Sequence, residues 1–564
     1  MGIIYVKQFS KGIAMKYKTE FIYETDGKIF TANAHGDENC SLETVCENGR
    51  LKIYLNTKKS VKVNRFSISL KYDFSNSDAV FVNGYQSWTD SREYKISEKM
   101  DGMTKFVDEF INSPLTSKFG LNRAGDEGIY KYNYQKGFFY GFSYCYARKD
   151  TQIDLFASLD ESCGYTIIEF DTKNSWVNVI KDLEGVVYSK KSLLLDFAVI
   201  SGEYECAFDK YFSLMNIKPP VKRRMAGYTT WYNYYNKVTQ SIVERDLQAL
   251  SSLDKKVDIF QIDDGYQTAI GDWLEVDNSK FPSGMKYTAD KIHSKGMLAG
   301  LWLAPFAATK SSKVYKEHPD WLIRNEKGKP YICGPNWGTF YGIDIYNDDA
   351  RAYIKNFFSI ILNEWGYDMV KLDFLYAACI LPIHNKSRGE IMCDAMNFLR
   401  ECCGDKLILG CGVPLAPAFG KVDFCRIGAD IGLAWKRSLI PHREDVSTLH
   451  AVNNSVFRRH LDSRAFMNDP DVFLLRDNNI SMTFAQRKTL AKINSLFGNL
   501  LFVSDNVSDY SAEQLETFYD TAFSDKAKIL SAEYTAMNEI TVEYELNSEF
   551  SKFTFNCKNG DLIV

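Results

Sequence analysis

Val257-Asp258-Ile259-Phe260-Gln261-Ile262-Asp263-Asp264-Gly265-Tyr266 is the stretch on which the fold turns. A short, mostly apolar run stops abruptly at two acids and a glycine, as a buried strand does where it opens into a turn. Similar runs recur on either side, at Ala226–Trp231, Met297–Phe306, Met369–Phe374, Leu407–Cys411, Phe424–Ile427, Val472–Leu475 and Leu500–Ser504. Between them lie segments with helical periodicity, at Ser241–Leu253, Asp348–Glu364, Gly389–Cys402, Val452–Ala465 and Phe484–Leu496. Eight strands in such an alternation, over the length usual for that fold, predict a central (β/α)8 TIM barrel rather than an open sheet.

The flanks read differently. Before residue 205, strand-like runs at Lys28–Ala34, Lys62–Tyr72, Gly137–Tyr146, Tyr165–Asp171 and Ser192–Ile200 are separated by turn signals, and helical periodicity is scarce. These predict an N-terminal β-sandwich. A short helix over Tyr204–Met215 follows, and Lys218-Pro219-Pro220 ends it. From about Asp525 the alternation returns, as in Ile540–Tyr544 and Lys552–Asn556, which predicts a small C-terminal antiparallel β-domain. The expected domains are therefore 1–217, 218–522 and 523–564. A chain of 564 residues is too long for one hydrophobic core in any case.

Composition narrows the chemistry. Hydrophobic residues at 45% and charged residues at 25% describe a globular chain, and a net charge of −4 without like-charge runs gives nucleic acid no purchase. The first twenty residues carry Lys7, Lys11, Lys16 and Lys18 but no apolar core for a signal peptide, and no later stretch approaches a membrane span. A cytoplasmic protein, monomeric or homo-oligomeric, is expected. The 13 cysteines form no C-x-x-C pair and their odd number leaves at least one free, as reduced thiols would be. The seven histidines, His35, His293, His318, His384, His442, His450 and His460, form no H-x-H or H-E-x-x-H pattern, so no metal is expected. With no Walker loop and no G-x-G-x-x-G, no cofactor is expected either. The reaction is left to carboxylates. Aromatic residues, at 14%, are mostly assigned to sheet and core.

In a (β/α)8 enzyme, reactive groups stand where strands end. Lys371-Leu372-Asp373-Phe374 follows Met369-Val370, and its two charged residues, two apart on a strand, project to the same side. An ammonium there favours the ionised carboxylate and lowers its pKa, as a nucleophile requires. A structural ion pair explains the same spacing. Asp430 closes the run Cys425-Arg426-Ile427-Gly428-Ala429-Asp430 beside uncharged residues, a setting suited to holding a proton, although Arg426 pulls the other way and a capping aspartate would look the same. Asp263 and Asp264 suit hydroxyl recognition, or an Asx turn before Gly265. Trp302 and Trp88 offer flat faces for a sugar ring, or plain core. Cys411, ending an apolar strand, is by default an inert thiol. Taken together, two separated carboxylates, an acid pair and tryptophans without a metal or nucleotide motif point to glycoside chemistry.

These motifs also resemble a known family. Gln261–Gln267, Gly300-Leu301-Trp302-Leu303-Ala304-Pro305-Phe306, Lys371–Phe374, Cys411-Gly412-Val413-Pro414-Leu415, Cys425–Asp430 and Asn468-Asp469-Pro470-Asp471, together with Asn83-Gly84-Tyr85-Gln86-Ser87-Trp88 near the amino terminus, resemble glycoside hydrolase family 36, the bacterial α-galactosidase type. The resemblance implies Asp373 as nucleophile and Asp430 as acid/base. It implies that Asp263 and Asp264 bind the 4- and 6-hydroxyls of galactose, that Lys371, Cys411, Arg426 and Trp302 line the pocket, and that Trp88 reaches over from the sandwich. The activity so implied is retaining, exo-acting cleavage of terminal α-galactosyl residues from small oligosaccharides. Its neighbours are α-N-acetylgalactosaminidase and raffinose-synthase-like galactosyl transfer. Ala429 and Ala416 depart from the residues common in the family, close to the acid/base and to the sugar's 2-position.

Overall fold

The computed structural model describes residues 3–5, 16–33, 35–47, 49–100, 109–110, 113, 119–121, 123–126, 128–131, 133–219, 223–435 and 443–563. His442, Pro220 and Lys7 and Lys11 of the sequence reading lie outside these residues.

Alternation of apolar and polar residues produces the N-terminal sheets. In Arg50–Thr57, Leu51, Ile53 and Leu55 turn inward while their neighbours face out. One antiparallel sheet runs in the order Ile3–Tyr5, Lys16–Thr25, Val61–Lys71, Trp176–Lys181, Thr166–Asp171, Phe138–Phe142. The other runs Cys40–Glu47, Arg50–Thr57, Ser192–Glu203, Gln152–Ser158, Tyr144–Lys149, Ala79–Val82, Arg92–Lys95. Phe156 of the second packs edge-on against Phe170 of the first, with ring centres 5.7 Å apart. The expected single strand Gly137–Tyr146 is in fact two. Ser143, at φ 65°, breaks it, and the chain passes there from the first sheet to the second.

After the helix Tyr204–Leu214, nine strands form one curled parallel sheet in the order Met467–Asp469, Phe424–Arg426, Leu407–Gly410, Met369–Leu372, Leu298–Leu303, Ile259–Ile262, Met225–Thr229, Leu500–Val503, Val472–Phe473. Its two end strands are consecutive in the chain, separated only by Pro470 and Asp471. The expected strand Val472–Leu475 is thus the second half of an interrupted one. Pro470 has no N–H to give to the ladder and Asp471 sits at φ 78°, so pairing transfers from Phe424–Arg426 on one side to Leu500–Val503 on the other.

The amphipathic segments form helices much as their periodicity predicts, with Thr239, Asn347, Ser387 and Thr483 as N-caps. One shifts. The helix expected over Val452–Ala465 starts at Thr448, where Ser447 caps it, and stops at Phe457 before a 3₁₀ turn. A three-stranded antiparallel sheet, Ala307–Thr309, Phe340–Gly342 and Ile332–Gly334, is inserted after the third parallel strand. Three antiparallel strands, Lys528–Ala536, Glu539–Leu546 and Glu549–Asn556, close the chain and return to the parallel sheet's layer through Tyr534 stacked on Phe457 at 5.2 Å. No helix among the described residues is long and apolar enough to cross a membrane.

Candidate active site

The carboxyl ends of the parallel strands gather the charged residues that the sequence singles out. Lys371 and Asp373 leave one strand on the same side, but the lysine's first partner lies elsewhere. Its Nζ donates to Asp263 Oδ2 at 2.9 Å and stands 4.0 Å from Asp373 Oδ2. Asp263 is further held by Gln261 Nε2 at 2.7 Å, so strand Ile259–Ile262 and strand Met369–Leu372 are cross-linked at their ends.

Asp373 is buried and accepts from Trp302 Nε1 at 3.1 Å and from its neighbour Phe374 N at 2.9 Å, with the Cys411 thiol as a further donor. Phe374, at φ 54°, turns the chain so that this amide faces back to the carboxylate. Burial raises the pKa of Asp373; Lys371 opposes that, Asp430 adds to it, and the Cys411 and Trp302 donors oppose it. This corrects the sequence expectation. The ammonium lowers the carboxylate's pKa as predicted in sign, but it is shared with Asp263 and desolvation is the larger effect.

Asp264 points the other way from Asp263, as adjacent residues of an extended chain do. Gln267 Nε2 donates to it at 2.5 Å and Trp337 Nε1 at 2.9 Å, and burial raises its pKa. Trp337 escapes a sequence reading: it lies in a short turn at φ 53°, with no periodicity around it. Its ring meets Trp302 at 6.0 Å and Phe374 at 4.7 Å, which makes an aromatic wall from Asp264 to Asp373.

On the far side, one guanidinium serves three acids. Arg426 reaches Asp430 Oδ1 at 2.7 Å, Asp471 Oδ1 at 2.7 Å and Asp469 Oδ2 at 3.3 Å. Asp471 also accepts from Tyr232 Oη and from Ile431 N at 2.8 Å, and burial pushes its pKa up to about 7. Asp469 and Asp471 lie in the Asn468–Asp471 motif, but nothing in spacing alone assigns them to Arg426. The left-handed backbone at Asp471 does so by turning that carboxylate inward.

Trp88 comes from the N-terminal sheets. Its Nε1 donates to Cys411 Sγ at 3.4 Å and its ring meets Phe374 edge-on at 5.0 Å. Burial pushes the Cys411 thiol well above its ordinary pKa. The structure thus joins Trp88, Cys411, Phe374, Asp373, Trp302, Lys371, Asp263 and Asp264 in one contact chain, with Arg426 at the end of its own strand and Asp430 on the loop beyond it. Among the described residues, no group of three His, Cys, Asp or Glu side chains is placed to hold a metal ion.

Residues 228–387 match the melibiase family model. An α-galactosidase from Pediococcus pentosaceus is 35% identical over 148 residues, covering 24% of this chain and 19% of that protein. An A-type blood α-D-galactosamine galactosaminidase from Flavonifractor plautii is 32% identical over 139 residues, covering 23% of this chain and 13% of that one. The sequence similarity to the melibiase model and to these glycosidases lies in the central part of the chain. Its matches span less than a quarter of the length of these curated relatives. The likeness in fold extends further than the likeness in sequence. An α-galactosidase from Thermus thermophilus, solved with p-nitrophenyl α-D-galactopyranoside, superposes with a TM-score of 0.70 at 22% identity over 94% of this chain and 98% of that one.

Proposed function

We propose that this chain is a retaining, exo-acting α-galactosidase. The observation that carries the reading is the pair of unlike carboxylates: Asp373, desolvated and held by N–H donors from Trp302 and Phe374, and Asp430, partly open to solvent on an arginine tether. Asp373 attacks the anomeric carbon as the glycosidic C–O bond breaks and Asp430 gives its proton to the departing oxygen. Water, deprotonated by Asp430, then displaces Asp373 and releases galactose with its original configuration. The two N–H donors suit a carboxylate whose charge is spent and regained in each half-reaction. Lys371 and Asp263 form a buried pair beside it, and Asp263 and Asp264 select galactose by their hydroxyl contacts. A site requiring the axial 4-hydroxyl rejects glucose widely, since its acids would otherwise stay unpaired.

The same reading takes the curled parallel sheet as a (β/α)8 barrel whose seventh strand is split at Pro470 and Asp471. The domains are then 1–217, a sandwich, 218–522, the barrel, and 523–564, the closing β-domain. Thirteen unpaired cysteines support a reducing, cytoplasmic setting.

A second reading, α-N-acetylgalactosaminidase, rests on the relative named for galactosamine and on Ala416 and Ala429, which depart from the residues common in the family near the sugar's 2-position. Kinetics on the p-nitrophenyl α-glycosides of galactose and N-acetylgalactosamine decide between them. Turnover confined to the acetamido sugar would overturn the galactosidase reading. Product NMR showing the β-anomer first would overturn retention. Products with and without sucrose separate hydrolysis from galactosyl transfer.

A further inference from the structure

Arg458 follows directly on the helix Thr448–Phe457 and is wholly buried. A guanidinium has five N–H bonds, and the structure offers five acceptors. Nε donates to Asn83 Oδ1 at 3.1 Å, Nη1 to Ser87 O and to Ile427 O at 2.8 Å each, and Nη2 to Gln86 O at 3.1 Å and Gly84 O at 3.4 Å. Four of the five acceptors belong to the loop Asn83–Trp88. The fifth closes the strand end that leads, three residues later, to Asp430.

No carboxylate among the described residues lies within ion-pair distance of Arg458, and burial pushes its pKa down to about 10. Carbonyl oxygens make every hydrogen bond to the charge, and Asp90 acts on it only from beyond ion-pair distance. Burying an uncompensated cation is expensive, and an apolar side chain would fill the space at lower cost, so the residue is explained by what its fork orients. The loop has no regular structure to fix it. Its other ties, among them Asn83 Nδ2 to Phe142 O at 3.0 Å, Gln86 Nε2 to Ala124 O at 2.7 Å, Ser87 N to Val413 O at 2.9 Å and Gly84 N to Ser91 Oγ at 2.8 Å, bind it to the N-terminal sheets and to the turn after Cys411 but not to the strand end at Ile427.

We propose that Arg458 is a positioning residue that holds the Trp88 loop and the strand end at Ile427 in one register, and so sets where Trp88 stands over Cys411 and opposite Asp430. The kinetic consequence rests on the α-galactosidase reading; the geometric one does not. Trp88 covers the Cys411 thiol, which is buried, whereas Cys206 is exposed. Displacing Trp88 therefore opens Cys411 to alkylation.

The test compares the full-length wild-type chain with Arg458→Lys, which keeps the charge and loses the fork, and with Trp88→Ala. Iodoacetamide labelling at mildly alkaline pH is followed peptide by peptide, with Cys206 as the internal standard. Arg458→Lys and Trp88→Ala should each speed labelling of Cys411 by about tenfold while the buried Cys145 and Cys425 stay at wild-type rates. Labelling of Cys411 at the wild-type rate in Arg458→Lys overturns the proposal. If every cysteine accelerates together, the variant has unfolded. The milder Asn83→Ala, which removes the Nε acceptor together with the Asn83 Nδ2 bond to Phe142 O, then decides by the same readout, Cys411 alone speeding supporting the latch and an unchanged rate overturning it.

In kinetics on an aryl α-galactoside, Arg458→Lys should raise KM about tenfold with a smaller change in kcat, and should add nothing further in a Trp88→Ala background. Additive losses in the double variant overturn the link to Trp88. A wild-type protein inert toward α-galactosides sinks the functional reading alone, because the labelling result stands without it.

Discussion

Asp373 and Asp430 carry the same functional group on two different supports. Asp373 leaves a central strand, its side chain 9% exposed, with donors fixed by a neighbouring strand and by its own backbone turn. Asp430 stands past a strand end, 35% exposed, with Arg426 at 2.7 Å as its described side-chain tether. A group that must meet one atom at one angle gains from a rigid, dry support. A group that gives a proton to the departing oxygen and takes one from water needs access to solvent.

The largest effect should come from the rigid side. Asp373→Asn should lower kcat on an aryl α-galactoside by about 10⁴-fold or more; substantial residual turnover in steady-state assays would falsify the nucleophile assignment. On the open side, Asp430→Ala should cost about 10²–10³-fold with sugar leaving groups and far less in the first step with an activated phenol. Added azide should then take the place of water, displace Asp373 from the β-linked intermediate and yield the α-galactosyl azide; a β-azide would overturn the double displacement.

Trp302→Phe removes one donor from Asp373 and should cost about tenfold in kcat. Because burial already raises the pKa of Asp373, the acid limb of kcat/KM should lie above the ordinary carboxylate range. Losing a donor to the ionised form moves that limb to higher pH. A limb that stays put in Trp302→Phe would show that the indole does not stabilise the charge.

The last effect is on stability rather than turnover. Asp471 is flanked by Arg426, Asp430, Asp469 and Tyr232, and burial raises it to about 7. A carboxyl raised in the folded state contributes stability that is whole below its unfolded value near ~4 and is lost as pH rises through about 7. Wild type should therefore lose ground to Asp471→Asn between about pH 4 and 7, by at most about 1.4 kcal/mol per unit, measured as the difference in melting temperature. A constant difference across that range would show that Asp471 does not titrate there.

Much of this frame is legible in the sequence because period and punctuation report local structure. Strand ends at Ile262, Leu372 and Arg426 and helices at Gln240–Ser251 and Arg388–Cys403 follow from apolar runs and caps. Features set by the backbone's sign of φ do not. Ser143 splits a strand, Asp471 splits another, and Trp337 swings onto Asp264, each in a left-handed conformation that a non-glycine residue does not advertise. The pairing of Lys371 with Asp263 is also hidden, because it depends on how two strands separated by more than a hundred residues are placed side by side.

The hydrogen bond from Arg458 to Asn83 joins residues 375 positions apart. At the pace of translation, about 5–20 residues per second, the loop bearing Trp88 leaves the ribosome tens of seconds before its anchor is made. The early sheets can fold in that interval and hold the loop at Ser91 and Phe142, but its tie to the strand end at Ile427 cannot yet form. A nascent chain stopped short of Arg458 carries both Asp373 and Asp430 and still lacks the latch, so the wall that Trp88 forms is among the last things the growing polypeptide acquires.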